Sequence, residues 1–382
     1  MWMYDGALFL TVNSQGGERS ENQVRSQNWL MATAMRRVGT GQLSFNGMLS
    51  AEPLTATKAG YAELFQMGEA YQGLENIDRQ HPHELFAQLS TVWQVPIRSR
   101  VSVTVAGAPV GEPTVGPSAF MHRASAAENP TAPLSHHTTD STHVAQGVIG
   151  AGATVGSWTA EGSAFHGREP NEDRYDIDVG PLDSWAARIW YRPSDSWEAQ
   201  ISYGFLKSPE ELEPGDIRRT TGSISWTHDR PNRLYAVTAV LGHNKRTYTD
   251  QTAFLLEGTA RRNRNSLYVR IELLQVETEH LLFPTVVHKP HPGEFIDPLG
   301  AFTAGAVRDL LASGPVALGV GGDITYYGVP ERLIPSYGKR PVSFHVFLRV
   351  RPRTAHASRM WNMTMMRPMP MPAPVVPSGG GE

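Results

Sequence analysis

Segments in which apolar and polar residues alternate recur along this 382-residue chain, and the connections between them alternate between short and long. In the last segment, over residues 341–351, every second residue from Val342 to Val350 is apolar. Alternation with a period of two indicates a strand with one apolar face. A membrane-spanning barrel needs tight turns at one rim and long loops at the other. The pattern therefore predicts an all-β fold, a transmembrane antiparallel β-barrel of about 16 strands.

The predicted strands cover residues 4–13, 28–36, 42–51, 85–95, 100–108, 143–154, 157–166, 184–192, 197–206, 219–227, 233–243, 251–261, 266–276, 300–310, 315–327 and 341–351. Short connections at 37–41, 96–99, 155–156, 193–196, 228–232, 262–265 and 311–314 are rich in turn-forming residues. The long connections are 14–27, 52–84, 109–142, 167–183, 207–218, 244–250, 277–299 and 328–340. An even number of strands places both chain ends at the short-turn rim, which is the periplasmic side in bacterial barrels.

Composition narrows the function classes. The chain has no cysteine, so a disulfide framework, a thiolate metal site and a cysteine nucleophile are excluded. A formal net charge of −3 does not indicate nucleic-acid binding. The sequence has no apolar run of about 18 residues, so no spanning helix is expected. Because Met1–Gly6 already has the character of a strand and not of a signal peptide, we expect a mature or truncated form of an exported protein, or a misassigned start.

The pattern divides the chain into a barrel over residues 1–352 and a tail over 353–382. The tail is rich in Pro and Met and ends in Ser-Gly-Gly-Gly-Glu. Such a composition cannot bury a core, so we predict a disordered periplasmic tail. Thioethers are soft ligands that select Cu(I). The closely spaced Met363, Met365, Met369 and Met371 are therefore candidate copper ligands, with incidental methionine enrichment as the equal alternative.

Six polar segments stand out between and within the strands: DRQHPHELF at 78–86, GEPTVGPSAFMHR at 111–123, HHTTDSTH at 136–143, EGSAFHGREPNEDR at 161–174, LDSWAARI at 182–189 and ISYGFLKSPEELEPGDIRRTT at 201–221. In these segments the chain resembles a family of Gram-negative outer-membrane β-barrel proteins, over about residues 6–351. The resemblance implies a barrel in the outer membrane. It implies no established activity, so it supplies no catalytic residues.

Two sets of charged residues are candidates for controlling a pore. Polar residues on the face opposite the apolar one should surround a wet lumen, and the candidates for selectivity are Glu161, Glu198, Arg270, Glu272 and Arg349. The second and third long loops are predicted to fold inward as a constriction, with Asp78, Arg79, His81, His83, Glu112, His122 and Arg123 as its residues. Loops of this length must satisfy their own backbone groups, which favours hydrogen bonding between them.

The loop histidines support two further hypotheses. Imidazole and carboxylate suit zinc and copper, so His136, His137, Asp140 and His143 are candidate ligands, although their spacing matches no closed structural site. Hydrogen bonding that joins the two loops is the more ordinary explanation. Ser141 lies beside the same residues, which are the types of a hydrolase triad. The chain lacks a Gly-x-Ser-x-Gly elbow, so the hydrolase hypothesis is the weakest.

These observations predict a passive, porin-like channel for small solutes or ions, without covalent chemistry. The alternatives are a metal-binding barrel that uses copper or zinc and, below it, a hydrolase. The expected partners are outer-membrane lipid, lipopolysaccharide, and solutes or metal ions, with an oligomer by analogy only. Acidic residues of the outer loops could attract cations or bind the divalent ions that bridge lipopolysaccharide, although a solvated surface is the more ordinary explanation: Glu169, Glu172, Asp173, Glu210, Glu211, Glu213 and Asp216.

Overall fold

The computed structural model describes residues 1–67, 69–213, 215–283, 289, 291–311 and 314–353. In this part of the chain, 16 strands form one closed antiparallel barrel in which each strand pairs with its neighbours in sequence and the first pairs with the last. The predicted fold class is therefore confirmed. The predicted tail, with its four candidate copper-binding methionines, lies outside the described residues from 354 onward.

The barrel strands are β1 Trp2–Gln15, β2 Glu21–Val38, β3 Gly41–Leu49, β4 Phe86–Arg98, β5 Val101–Gly111, β6 Ala145–Val155, β7 Trp158–Phe165, β8 Ser184–Ser194, β9 Trp197–Leu206, β10 Ile217–Arg230, β11 Arg233–Lys245, β12 Asp250–Arg262, β13 Asn265–Glu277, β14 Ile296–Leu311, β15 Val316–Gly328 and β16 Val342–Pro352. Short helices are α1 Glu52–Thr55, α2 His136–Thr139, α3 Thr278–Leu282 and α4 Ile334–Tyr337, with 3₁₀ turns at Phe120–His122, Ser141–His143 and Glu331–Leu333. Two small hairpins pair Tyr61–Ala62 with Arg79–Gln80 and Glu69–Tyr71 with Leu74–Asn76. Among the described residues, every helix is too short or too polar to cross a membrane.

The two rims differ in their connections, as predicted, with two exceptions. At the short-turn rim, Gly39, Gly156, Asn232 and Asn263 have positive φ, which tight hairpin turns require. At the opposite rim, the predicted long loops at 14–27 and 244–250 are wrong. β1 pairs with β2 as far as Gln15 and Glu21, and β11 with β12 as far as Lys245 and Asp250. Polar residues line both faces of these strand ends, so the alternating apolar signal stops before the strands do.

The outward face of the barrel is apolar. Along β16, Phe344, Val346 and Leu348 are exposed, whereas the intervening Phe347 and Arg349 are buried. Aromatic side chains pair across neighbouring strands close to the short-turn rim: the Trp158 and Tyr191 rings lie 4.4 Å apart. An apolar band with aromatic residues near its edges is the surface that lipid requires of a barrel.

The interior is filled by two loops. Loop 2 (residues 50–85) and loop 3 (residues 112–144) turn into the barrel, and we call them together the plug. Leu64 and Phe65 of loop 2 pack with Leu134 of loop 3 and with inward residues of β12 and β13. A barrel of this size was expected to leave an aqueous channel. At the level of the plug, the structure instead has a packed core, because both loops supply apolar side chains to the lumen.

Candidate functional site

Loop 3 crosses the lumen from one wall to the other and returns. It enters beside β7, where the Thr114 backbone N–H donates to Ser163 Oγ at 2.9 Å. It reaches the opposite wall at β16, where Glu128 pairs with Arg349. On its return, Ser135 donates to Glu272 Oε1 of β13 at 2.9 Å. Wall strands on opposite sides of the barrel therefore hold a single loop.

A set of buried charges fastens this loop. We call it the ion-pair belt, and its members are Arg123, Glu128 and Asp140 of loop 3 with Glu257, Arg270, Arg349 and Arg351 of the wall. Arg123 Nε lies 2.6 Å from Glu257 Oε1, and Arg270 Nε lies 3.5 Å from Glu257 Oε2. Arg351 Nη1 lies 3.3 Å from Glu128 Oε1, beside the Arg349 contact. All seven side chains are buried, so water screens these charges little.

Loop 3 also has internal charge pairing. Arg123 donates to Asp140 as well as to Glu257. Burial alone would raise the pKa of the Asp140 carboxyl, but the neighbouring Arg123 and His136 hold that pKa far below its ordinary value. Asp140 is therefore a fixed negative charge inside the plug.

The five predicted selectivity residues have side chains on the lumen side. Glu161 accepts from Arg188 Nε at 2.6 Å and from the Trp190 indole at 2.9 Å. Glu198 lies nearer the short-turn rim, 3.4 Å from Arg192, and is partly exposed. Glu272 and Arg349 bind loop 3 directly, and Arg270 Nη1 donates to the Thr131 carbonyl of loop 3 at 3.0 Å. Four of the five thus contribute to the packing of the filled lumen, and a role in selectivity stays a prediction.

The predicted constriction residues are spread over several parts of the plug. Asp78 and Arg79 anchor loop 2 to the rim: Arg19 donates to Asp78 at 2.9 Å and Arg79 lies 2.6 Å from Glu21. Two further constriction residues lie where loop 3 meets the wall. Glu112 Oε1 lies 3.7 Å from Arg188 Nη1, and Arg123 pairs with Glu257.

His122 packs edge-to-face on Trp29 with ring centroids 5.1 Å apart. Burial, with a smaller contribution from the nearby His83, lowers the pKa of His122 to about 4. This side chain is therefore neutral at physiological pH.

Five histidines meet where loop 2 touches loop 3. We call this the histidine junction, and its members are His81, His83, His136, His137 and His143. The ring centroids of His83 and His143 lie 5.6 Å apart, and those of His136 and His143 lie 5.1 Å apart. The Nδ1 atoms of His83 and His136 lie 2.9 and 2.7 Å from carboxylate oxygens of Glu52 and Asp140. The structure thus brings together residues that the sequence separates by more than fifty positions.

Ser141, the candidate nucleophile, lies at the edge of this junction. Its Oγ accepts a hydrogen bond from Arg219 Nη1 at 3.0 Å, and the same guanidinium donates to the His137 carbonyl at 2.6 Å. A serine nucleophile needs an imidazole base on its hydroxyl. The observed partner is a guanidinium, which holds loop 3 to β10.

A second charged cluster lies at the long-loop mouth, above the plug. His280 Nδ1 lies 2.9 Å from Glu75, and its Nε2 lies 3.3 Å from Glu294 and 3.5 Å from Glu277. Burial opposes the charged form, yet Glu294 and Glu75 raise the pKa of His280 to about 10. Glu210 and Glu213 pair with Arg246 beside them, around a cavity of about 80 Å³. The sequence pattern identified Glu210 and Glu213 as acidic residues of an outer loop. It did not indicate that Glu75, Glu277 and His280 belong to the same cluster.

Comparisons with known proteins identify the fold. No protein-family model matches the chain, and no curated protein matches it.

Solved structures do match. OprB of Pseudomonas putida has a TM-score of 0.55 at 8% identity, over 92% of this chain and 94% of that one. OmpF of Salmonella typhi, in complex with daunomycin, has a TM-score of 0.52 at 10% identity, over 92% and 97%. A loop L8 deletion mutant of OmpT, an outer-membrane protein of Vibrio cholerae, has a TM-score of 0.52 at 9% identity, over 92% and 99%. At such identities the likeness shows a shared barrel fold.

Proposed function

We propose that this chain is a porin-like barrel of a Gram-negative outer membrane, whose lumen admits small solutes or ions only as far as the plug allows. The outer-membrane location is supported by the apolar outward face and by the fold that the chain shares with outer-membrane proteins such as OmpF and OprB. In this orientation the short turns and both ends of the barrel segment face the periplasm, and the long loops face outward.

The observation that carries this proposal is the path of loop 3. It is held at β7 by the hydrogen bond from Thr114 to Ser163 and at β12, β13 and β16 by the ion-pair belt, and the side chains that make these contacts are buried. A loop that lies in the lumen and binds the wall sets the width of any route through the barrel. We therefore expect that route to be narrow, and a wider route requires loop 3 to leave the wall.

The two ends of the lumen differ in a way that fits filtering. Toward the short-turn rim, the inward Gly150 and Gly152 of β6 and Ser223 and Ser225 of β10 are partly accessible to water, so a vestibule lies below the plug. At the long-loop mouth, the carboxylates around His280 and Arg246 would concentrate cations. We therefore expect any residual current to favour cations.

Planar-bilayer recording tests this function. The refolded wild-type barrel should show small or rare conductance steps with a cation preference. A variant in which residues 117–139 are replaced by a short Gly-Ser linker should show steps several-fold larger, because the plug's central span is gone. Wild-type steps as large as those of the variant would contradict a lumen controlled by loop 3. If the folded linker variant showed no conductance steps, the proposed channel function would be contradicted.

A further inference from the structure

The charged cluster at the long-loop mouth holds more acidic groups than basic ones. We call it the mouth cluster, and its members are Glu75, Glu210, Glu213, Arg246, Glu277, His280 and Glu294. One guanidinium and one imidazole thus stand against five carboxyl groups. Glu213, Glu277 and Glu294 are buried, and buried charge is costly unless it is neutralised. The mouth cluster therefore favours an added cation.

Three members of the mouth cluster lie at metal-binding distance from one another. One ligand atom from each of Glu213, Glu277 and His280 lies within 4.8 Å of the other two, and all three residues are buried. His280 Nε2 lies 3.5 Å from Glu277 Oε2, whereas a charged hydrogen bond is about 2.7–2.9 Å long. Zinc bonds of about 2.0–2.2 Å at tetrahedral angles place two ligand atoms about 3.4 Å apart. The observed separation fits two ligands of one ion.

Neighbouring side chains orient two of these groups. His280 Nδ1 lies 2.9 Å from Glu75, and Thr249 Oγ1 donates to Glu277 Oε1 at 2.9 Å. A carboxylate only accepts hydrogen bonds, so His280 Nδ1 donates and Nε2 is the ligand atom. The ligands of metal sites characteristically have such partners, which fix the ring and the carboxylate in position.

The third group, Glu213, has an oxygen to spare. Its Oε2 pairs with Arg246, while its Oε1 is buried and has no hydrogen-bond partner among the described residues. Glu213 is only 9% exposed, and it lines the same cavity of about 80 Å³ as Glu277 and His280. A buried acceptor without a donor is unfavourable. A cation in this cavity would satisfy it.

We propose that Glu213, Glu277 and His280 bind a divalent transition-metal ion of the zinc type at the long-loop mouth. Carboxylates alone would suit calcium or magnesium, whereas the imidazole adds a nitrogen ligand that suits zinc. Ligation requires a neutral imidazole, so the ion displaces a proton from Nε2. Glu213 belongs to the loop between β9 and β10, and the other two ligands belong to the end of β13 and to α3. The ion therefore joins two loops of the mouth, and its binding does not depend on the channel proposed above.

A zinc titration of the refolded full-length chain against a chromophoric chelator, with excess Ca²⁺ present, tests the site. Wild type should bind Zn²⁺ under these conditions. Glu213→Gln and His280→Gln should each weaken binding by roughly 100-fold or more, since even an orienting partner is usually worth 10–100-fold. Glu211→Gln is the matched control, because Glu211 is an exposed carboxylate of the same loop and lines the same cavity. It should bind zinc as wild type does.

A second control addresses another group of possible ligands at the mouth. His137, Glu169 and Glu210 also lie within coordination distance of one another, but they are less buried. Glu169→Gln should therefore leave zinc affinity unchanged. The proposal would be overturned by the absence of zinc binding in wild type or by wild-type affinity in either ligand variant. A loss in Glu211→Gln or Glu169→Gln as large as that in Glu213→Gln would overturn it as well.

X-ray absorption on zinc-loaded wild type needs no variant and covers the case in which a variant fails to fold. It should show a mixed shell of nitrogen and oxygen with the scattering of one imidazole. Two or more imidazoles would place the ion at the histidine junction, and sulfur ligation would place it at the methionines of the tail. Either result, or a shell of oxygen alone, would contradict the proposed site.

Discussion

The ion-pair belt and the histidine junction both hold the plug, but they do so with different chemistry. The belt joins loop 3 to the wall through permanent charges such as Arg123 and Glu257. The junction joins loop 2 to loop 3 through imidazoles, of which His83 and His136 are positioned by the carboxylates of Glu52 and Asp140. The belt consists of guanidinium and carboxylate groups, whereas imidazoles as a class respond to protons near neutral pH and to metal ions. The plug therefore has one attachment made of buried arginine–carboxylate pairs and one made of imidazoles, which solution conditions can change.

The largest effect should come from removing one charge of the belt. Glu128→Gln leaves Arg349 and Arg351 with Asp309 as their remaining carboxylate contact in the described structure. Breaking a buried pair by removing one partner destabilises by about 3–5 kcal/mol. Denaturant unfolding in detergent, followed by tryptophan fluorescence, should show a loss of this size. Glu172→Gln is the control, since Glu172 is exposed at the rim and should change stability by less than about 0.5 kcal/mol. Equal losses of stability in the two variants would show that the ion-pair belt stabilises the fold no more than an exposed carboxylate does.

Acidification should next weaken the contact between loop 3 and β2, which His122 makes with Trp29. The folded pKa of His122 is about 4, below the unfolded value of 6.5, so the unfolded chain binds the proton first as pH falls. Stability from this group is complete above pH 6.5 and declines between 6.5 and 4. His122→Phe keeps the ring contact with Trp29 but cannot titrate. Wild type should lose on the order of 2 kcal/mol more than this variant between these pH values. Parallel pH profiles would exclude His122 as the sensitive group.

The smallest effect should come from the rim anchor of loop 2. Arg79 and Glu21 are partly exposed, with side chains 26% and 38% accessible, although their atoms lie 2.6 Å apart. Water screens such a pair, so Arg79→Gln should cost less than about 1 kcal/mol. The same unfolding measurement checks this. A loss comparable to that of Glu128→Gln would place the main attachment of the plug at the rim instead of at the belt.

The wall was predictable from the sequence because its signal is local. Period-two alternation located all 16 strands, β16 most clearly, and it failed at residues 14–27, where the strands continue with polar residues on both faces.

For the plug, the sequence predicted which loops turn inward but not the contacts that hold them. Loop length indicated that two loops turn inward. Glu52 pairs with His83 31 positions away, and Arg123 with Glu257 134 positions away. Alternation carries no information about contacts between loops, or between a loop and the far wall.

The most direct test of the account uses the absence of cysteine from the chain. Ser125 Oγ of loop 3 lies 2.8 Å from Thr238 Oγ1 of β11, so Ser125→Cys/Thr238→Cys should place two sulfurs within bonding distance. In the folded barrel under mild oxidation, the pair should form a disulfide and resist labelling by a bulky maleimide. Two free thiols that react quickly with that reagent would contradict a plug that lies against the wall.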